Sequence, residues 1–188
     1  RIKNICQEIQ TEIKKVMGTD VSMAIGKWVK NLENLSASHD MAEQALQYRY
    51  LQGGSLLIDM EESHPVQEID LRESLDKLKE ALKSGKTEEM ETELQVIEEQ
   101  IRQSLADKSR ACMYLQQVMR AADMAAEEVS ADISEIHEDG AELLCQITEQ
   151  KSFSQACEIV RKYILRVYDA MAELNTSSGE RQARMALD

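Results

Sequence analysis

The sequence predicts a mainly α-helical protein that opens with a small α-β-α-β unit and continues as a helical bundle. Three observations lead there. Hydrophobic residues make up 43% and charged residues 30% of the 188 residues, with one Pro and seven Gly, a globular composition in which little breaks a helix. Apolar residues recur at spacings of three and four over most of the chain, the period of a helix with one buried face. Only at DVSMAIGKWV and SLLID does the pattern change to alternation or a short apolar run, which reads as strand.

In residues 1–18, Ile2, Ile5, Ile9, Ile13 and Val16 lie at helical spacing, and Gly18 is a natural stop. Val21, Met23 and Ile25 then alternate with Ser22 and Ala24, predicting a strand with one buried face, and Gly26 marks the turn after it. Leu32 and Leu35 lead into a helix over about 36–52, with Ala42, Ala45, Leu46 and Tyr48 or Arg49 on its inward side. Gly53-Gly54 ends that helix, because glycine takes the left-handed conformation at little steric cost. Leu56–Ile58 reads as a second, edge strand. Two strands alone leave open edges, so either another chain pairs with them or the unit is distorted. The polar connector Glu61–Glu68, which holds the single Pro65, carries the domain boundary.

Beyond it, Asp70 and Glu73 form a capping-box pattern ahead of Leu71, Leu75, Leu78 and Leu82. Gly85 ends this helix and Thr87 caps the next, whose stripe is Met90, Leu94, Ile97, Ile101 and Leu105. From Asp107 to about Val129, Ala111, Leu115, Val118, Ala122 and Ala125 suit close helix packing. HEDG at 137–140 is a break, and Ala141–Glu149 a short helix. Ser152 and Gln155 cap a helix carrying Phe153, Ala156, Ile159, Val160, Tyr163, Ile164, Val167 and Met171. NTSSGE at 175–180 reads as a polar linker and RQARMALD as the start of another helix.

Composition also excludes functions. A net charge of −13 argues against holding a phosphate backbone or an anionic membrane surface. No run approaches the roughly 18 apolar residues of a membrane span. His39, His64 and His137 lack ligand spacing, and His39 and His64 read as surface residues. Cys6, Cys112, Cys145 and Cys157 show no CxxC spacing and read as buried free thiols of a cytosolic protein. Glu61-Glu62, Glu88-Glu89 and Glu98-Glu99 are adjacent pairs that point apart, a solvated face and not a catalytic dyad. Gly53-Gly54 follows a helix and precedes a strand, the reverse of a phosphate loop. No catalytic, cofactor-binding or metal-binding residue is assigned, and no cofactor. The polar candidates for a ligand site or a structural contact are Tyr48, Arg49, Arg110, Tyr114, Arg120 and Tyr163.

The stretch DVSMAIGKWVKNLENLSASHDMAEQALQYRYLQGGSLLI carries Ile25-Gly26, Leu35, Ser38, Ala42, Ala45-Leu46, Tyr48-Arg49 and Gly53-Gly54. On these residues it resembles the end of the GGDEF-like region of large bacterial response regulators, with His39 where that family usually has an aromatic. LRESLDKLKEALKSGKTEEMETELQVI is similar to the helix pair that follows that region. FSQACEIVRKYILRVYDAMAE, with the polar stretch and RQARMALD, resembles the segment leading into an AraC-type helix-turn-helix domain. The resemblance implies that 1–62 is the C-terminal half of a degenerate GGDEF-like domain, 63–174 a helical linker bundle and 175–188 the start of the DNA-binding domain. A cyclase needs its GGDEF signature and metal-binding acids, which this sequence lacks, so no enzyme activity is expected.

The expectation is a cytoplasmic signal-relay linker, and a possible homodimerisation module, of a two-component regulator of transcription. The chain opens without Met inside a helical pattern and is expected to be a segment of a longer protein. Its DNA contact would come only through the C-terminal domain, and its histidine kinase only through a receiver domain, both outside this sequence. A self-association stripe would lie on 87–105 or 152–174, unless those stripes close an intramolecular bundle. Two alternatives stand beside this reading, a small-molecule sensing domain and a helical scaffold or chaperone-like interaction protein.

Overall fold

A computed structural model describes residues 1–62, 68–104, 106–138 and 140–185. His64, Pro65, Leu105 and residues 186–188 lie outside the described residues, as do the side chain of His137 and most of the connector that carries the predicted boundary. The protein is mainly helical with one small two-stranded parallel sheet.

The first unit runs α1 (Ile2–Met17), β1 (Met23–Ile25), a 3-10 turn at Leu32–Asn34, α2 (Leu35–Leu46), α3 (Arg49–Gln52) and β2 (Leu57–Asp59). This is the predicted α-β-α-β order, with the second helix split. The strands pair with each other, Met23 opposite Leu57 and Ile25 opposite Asp59, so no second chain is needed to form the sheet. Gly18 stops α1 in the left-handed conformation, φ 66°, with its N–H bonded to the Lys14 carbonyl. Gly26 serves a different purpose. Its backbone is not left-handed, but a Cβ there would fall 2.2 Å from the Ser38 carbonyl oxygen and 2.4 Å from Ser38 Oγ. Only glycine lets α2 settle this closely on the end of β1, and the Ser38 hydroxyl donates to the Lys27 carbonyl at 2.7 Å.

The bundle comprises α4 (Arg72–Ser84), α5 (Thr87–Gln103), α6 (Lys108–Glu128), α7 (Ser134–Glu138), α8 (Gly140–Glu149) and α9 (Phe153–Met185). Leu78, Leu82, Met90, Ile97, Ile101, Leu115, Val118, Ile147, Ile164 and Val167 fill its core. The small residues Ala111, Ala122 and Ala125 are fully buried on α6, which lets α4 and α9 pack closely against it. Gly85 ends α4 at φ 70°, with the Lys86 N–H reaching back to the Ala81 carbonyl. Asp107 caps α6 by accepting from the Arg110 N–H at 2.8 Å.

Several expectations need correction. The Asp70–Glu73 capping box is replaced by Asp70 gripping Arg72, its carboxylate accepting from the Arg72 N–H and guanidinium. Thr87 is the first helical residue and Lys86 the cap. Leu46 is 39% exposed, not buried, and of the four thiols expected inside, Cys112 and Cys157 are buried but Cys6 is half-buried and Cys145 exposed. The backbone remains helical across 175–180, so no break separates that stretch from the residues before it. The stripes on 87–105 and 152–174 are buried against neighbouring helices, so in the described residues they close the bundle.

Candidate functional site

The two units meet at α3. After α2 ends, a turn at Gln47–Tyr48 leads into the single turn RYLQ, which buries two adjacent side chains in the bundle. Tyr50 and Leu51 are buried there against α5, α6 and α9. The Tyr50 ring meets Phe153 edge-on, centroids 6.3 Å apart at 68°, a favoured aromatic geometry. Its hydroxyl lies 3.8 Å from the Cys112 sulfur. Phe153, the only Phe in the chain, is fully buried at the first residue of α9.

Arg102, near the end of α5, ties three elements together. Its guanidinium donates to the Leu51 carbonyl and, at 2.9 Å, to Ser154 Oγ, and lies 4.9 Å over the Phe153 ring. The planar fork of an arginine suits this multiple engagement, which a lysine could not reproduce. Lys108 sits 5.4 Å over the opposite partner, the Tyr50 ring. One turn earlier on α5, Glu98 accepts from Arg161 Nε at 2.7 Å, a second tie between α5 and α9.

The Tyr50 hydroxyl and the Cys157 thiol are held uncharged. Burial, and then the facing Cys112 thiol, push the Tyr50 hydroxyl well above its ordinary value. Burial, followed by the nearby Glu98 carboxylate, pushes the Cys157 thiol up as well. A buried thiol that resists ionisation is a poor nucleophile. The joint is held together by packing, hydrogen bonds and cation–ring contacts.

The six residues singled out from the sequence do not converge. Tyr48 is half-buried in a groove with Lys3, Gln52 and Asp59. Arg49 is exposed, on the rim of a separate groove with Glu43 and Lys108. Arg110 is exposed in the first turn of α6, and Tyr114, one turn further along the same helix, is buried. Only Arg120 and Tyr163 share a cavity, of about 540 Å³ between α6, α8 and α9, with Asp123, Gln116 and Leu144. The buried Tyr163 hydroxyl donates to Asp123 Oδ1 at 2.5 Å, and burial together with that carboxylate raises its pKa. His39, Asp40 and Glu43 cluster on one exposed turn of α2, a solvated group with nothing around it to exclude water. Among the described residues no helix is long and apolar enough to cross a membrane.

Tyr50, Leu51 and Arg102 escape the reading of the sequence, which places Phe153 only on the apolar stripe of its helix. The signal available was the lone Phe at a helix start and an arginine directly after the buried Ile101. Comparison with family models, with curated proteins and with solved structures returns no match for this chain.

Proposed function

We propose that this chain is a non-catalytic signal-relay module of a bacterial two-component response regulator that controls transcription. The α/β unit, of GGDEF-like descent, receives a change from one side and passes it through the bundle to α9. The observation that supports this reading is the Arg102 joint. One side chain binds the Leu51 carbonyl of the α/β unit and the first turn of α9 together. A shift of α3 against the bundle therefore acts directly on the root of a 33-residue helix, about 50 Å long at 1.5 Å per residue. Packed interfaces of this kind switch between discrete arrangements and do not deform smoothly.

Arg102→Ala tests it. In the full-length reading frame the substitution should leave phosphorylation and DNA affinity intact while abolishing phosphorylation-dependent transcription from a reporter. Retained stimulus-dependent transcription, or a reading frame with neither a receiver nor a helix-turn-helix domain, sinks the proposal. A second reading, small-molecule sensing, has one observation in its favour, the cavity that brings Arg120, Asp123 and Tyr163 together. A thermal-shift screen separates the two, since a ligand of the native state raises Tm.

A further inference from the structure

We propose that α1 is a pairing face, through which two copies of this chain associate about a two-fold axis. The helix buries no residue. It leans on the sheet by an edge, with Lys3 bound to Asp59 and Glu62, and Gln10 donating to the Val21 and Leu56 carbonyls. That contact uses positions 3, 6, 10 and 13, and it leaves the neighbouring stripe of Ile2, Ile5, Ile9 and Val16 between 44% and 78% exposed. At the Ile2 end the stripe runs into a groove whose far wall is Trp28 and Leu35, also mostly exposed.

The area fits a second copy. The exposed parts of these six side chains amount to about 400 Å² of apolar surface, at roughly 100 Å² per aliphatic side chain and twice that for Trp. An interface is about 60% apolar, so a patch of this size implies about 700 Å² per partner, close to the ~800 Å² of a standard complex. The spacing of 2, 5, 9 and 16 is a seam of the three-and-four type, which pairs with its own copy.

Charge points the same way. Residues 1–30 hold six basic and three acidic residues, whereas the remainder holds 16 basic and 32 acidic. Every lysine of α1 is ion-paired within its own chain, Lys3 to Asp59 and Glu62, Lys14 to Asp20 and Lys15 to Glu12. The stripe is thus a near-neutral apolar face on an acidic protein, where two copies can meet with their acidic bundles held apart. The pairing does not rest on the relay reading, because it uses α1 and not the Arg102 joint.

The test is light scattering after size exclusion at about 50 µM, above the micromolar Kd of a weak interface. The wild-type chain should run at twice its 21.3 kDa mass. Ile5→Glu with Ile9→Glu should weaken association at least a hundredfold and give a monomer, with its circular dichroism and Tm retained because both side chains are half-exposed. Val16→Glu should act in the same direction. Val96→Glu with Leu165→Glu, on the exposed sides of α5 and α9, should leave the dimer intact. A wild-type monomer even at about 500 µM, a dimer that survives the α1 changes, or one lost only through the α5 and α9 changes would overturn the proposal.

Discussion

Gly26→Ala isolates the contact that seats α2 on the sheet. The added methyl would lie 2.2 Å from a backbone oxygen of Ser38, against about 3.5 Å for an ordinary contact. Because the obstacle is backbone, α2 must retreat by more than about 1 Å. Overpacking of that kind costs ~1–3 kcal/mol, and separating Ser38 from the Lys27 carbonyl adds about 1 kcal/mol. The sum is about 3 kcal/mol, which should speed exchange of the protected Met23 and Met60 amides roughly a hundredfold. Gly18→Ala is the contrast. Its φ is +66° but no atom lies within 4 Å of a built Cβ, so it should cost only about 1 kcal/mol. Ser38→Ala should not rescue Gly26→Ala, since it removes Oγ and leaves the nearer carbonyl. Rescue by Ser38→Ala, or a larger penalty at Gly18 than at Gly26, would refute the close-approach argument.

Leu51→Ala should lower stability by ~2–5 kcal/mol, as for other fully buried leucines, whereas Leu46→Ala should stay within about 0.5 kcal/mol; equal effects in urea denaturation would contradict the placement of α3. Tyr163 has a raised folded pKa, so its contribution is complete below the unfolded tyrosine value of about 10 and is lost as pH climbs past it. Tyr163→Phe should therefore reduce the fall in Tm above about pH 10, and an unchanged alkaline profile would count against the buried hydroxyl. Asp70 is held at a pKa of about 2, chiefly by its hydrogen bonds from the Arg72 side chain. Its contribution is present above the unfolded value of about 3.9 and lost as pH falls toward 2. By NMR its titration should return to the ordinary range in Arg72→Ala, and a midpoint that does not move would dismiss the pairing.

The order of elements was legible because period-2 and period-3.6 patterns report directly on which side chains face a neighbour. Ala45, Gly18, Gly53 and Gly85 stand where that logic puts them. Leu46 does not, because the spacing of Ala42, Ala45 and Leu46 marks an apolar face without saying how much of it a neighbour covers, and α2 is buried only at Ser38 and Ala45. Tyr50 and Leu51 are buried against a different neighbour from Ala45, the bundle and not the sheet, and the pattern does not say that the helix has two partners. The α1 stripe fails differently. Periodicity tells that an apolar face exists, not whether the same chain covers it. Ser38 and Arg102 act on partners 11 to 52 residues away in the chain, a distance over which no spacing rule reaches.

The Gln10 contact has a consequence for how the protein folds. Ser22 and Leu56, which meet at the start of the sheet, are 34 residues apart, and parallel strands cannot zip up from a tight hairpin. Closing so long a loop costs chain entropy before any ladder bond is gained. One amide group, donating to both the Val21 and Leu56 carbonyls at 2.8 Å, bridges the two strands from outside. The first rung of the sheet is therefore expected to lock only once α1 has docked. Gln10→Ala should accordingly slow formation of the strand pair in refolding far more than it slows the bundle, and equal rates in stopped-flow pulse-labelling would rule this order out.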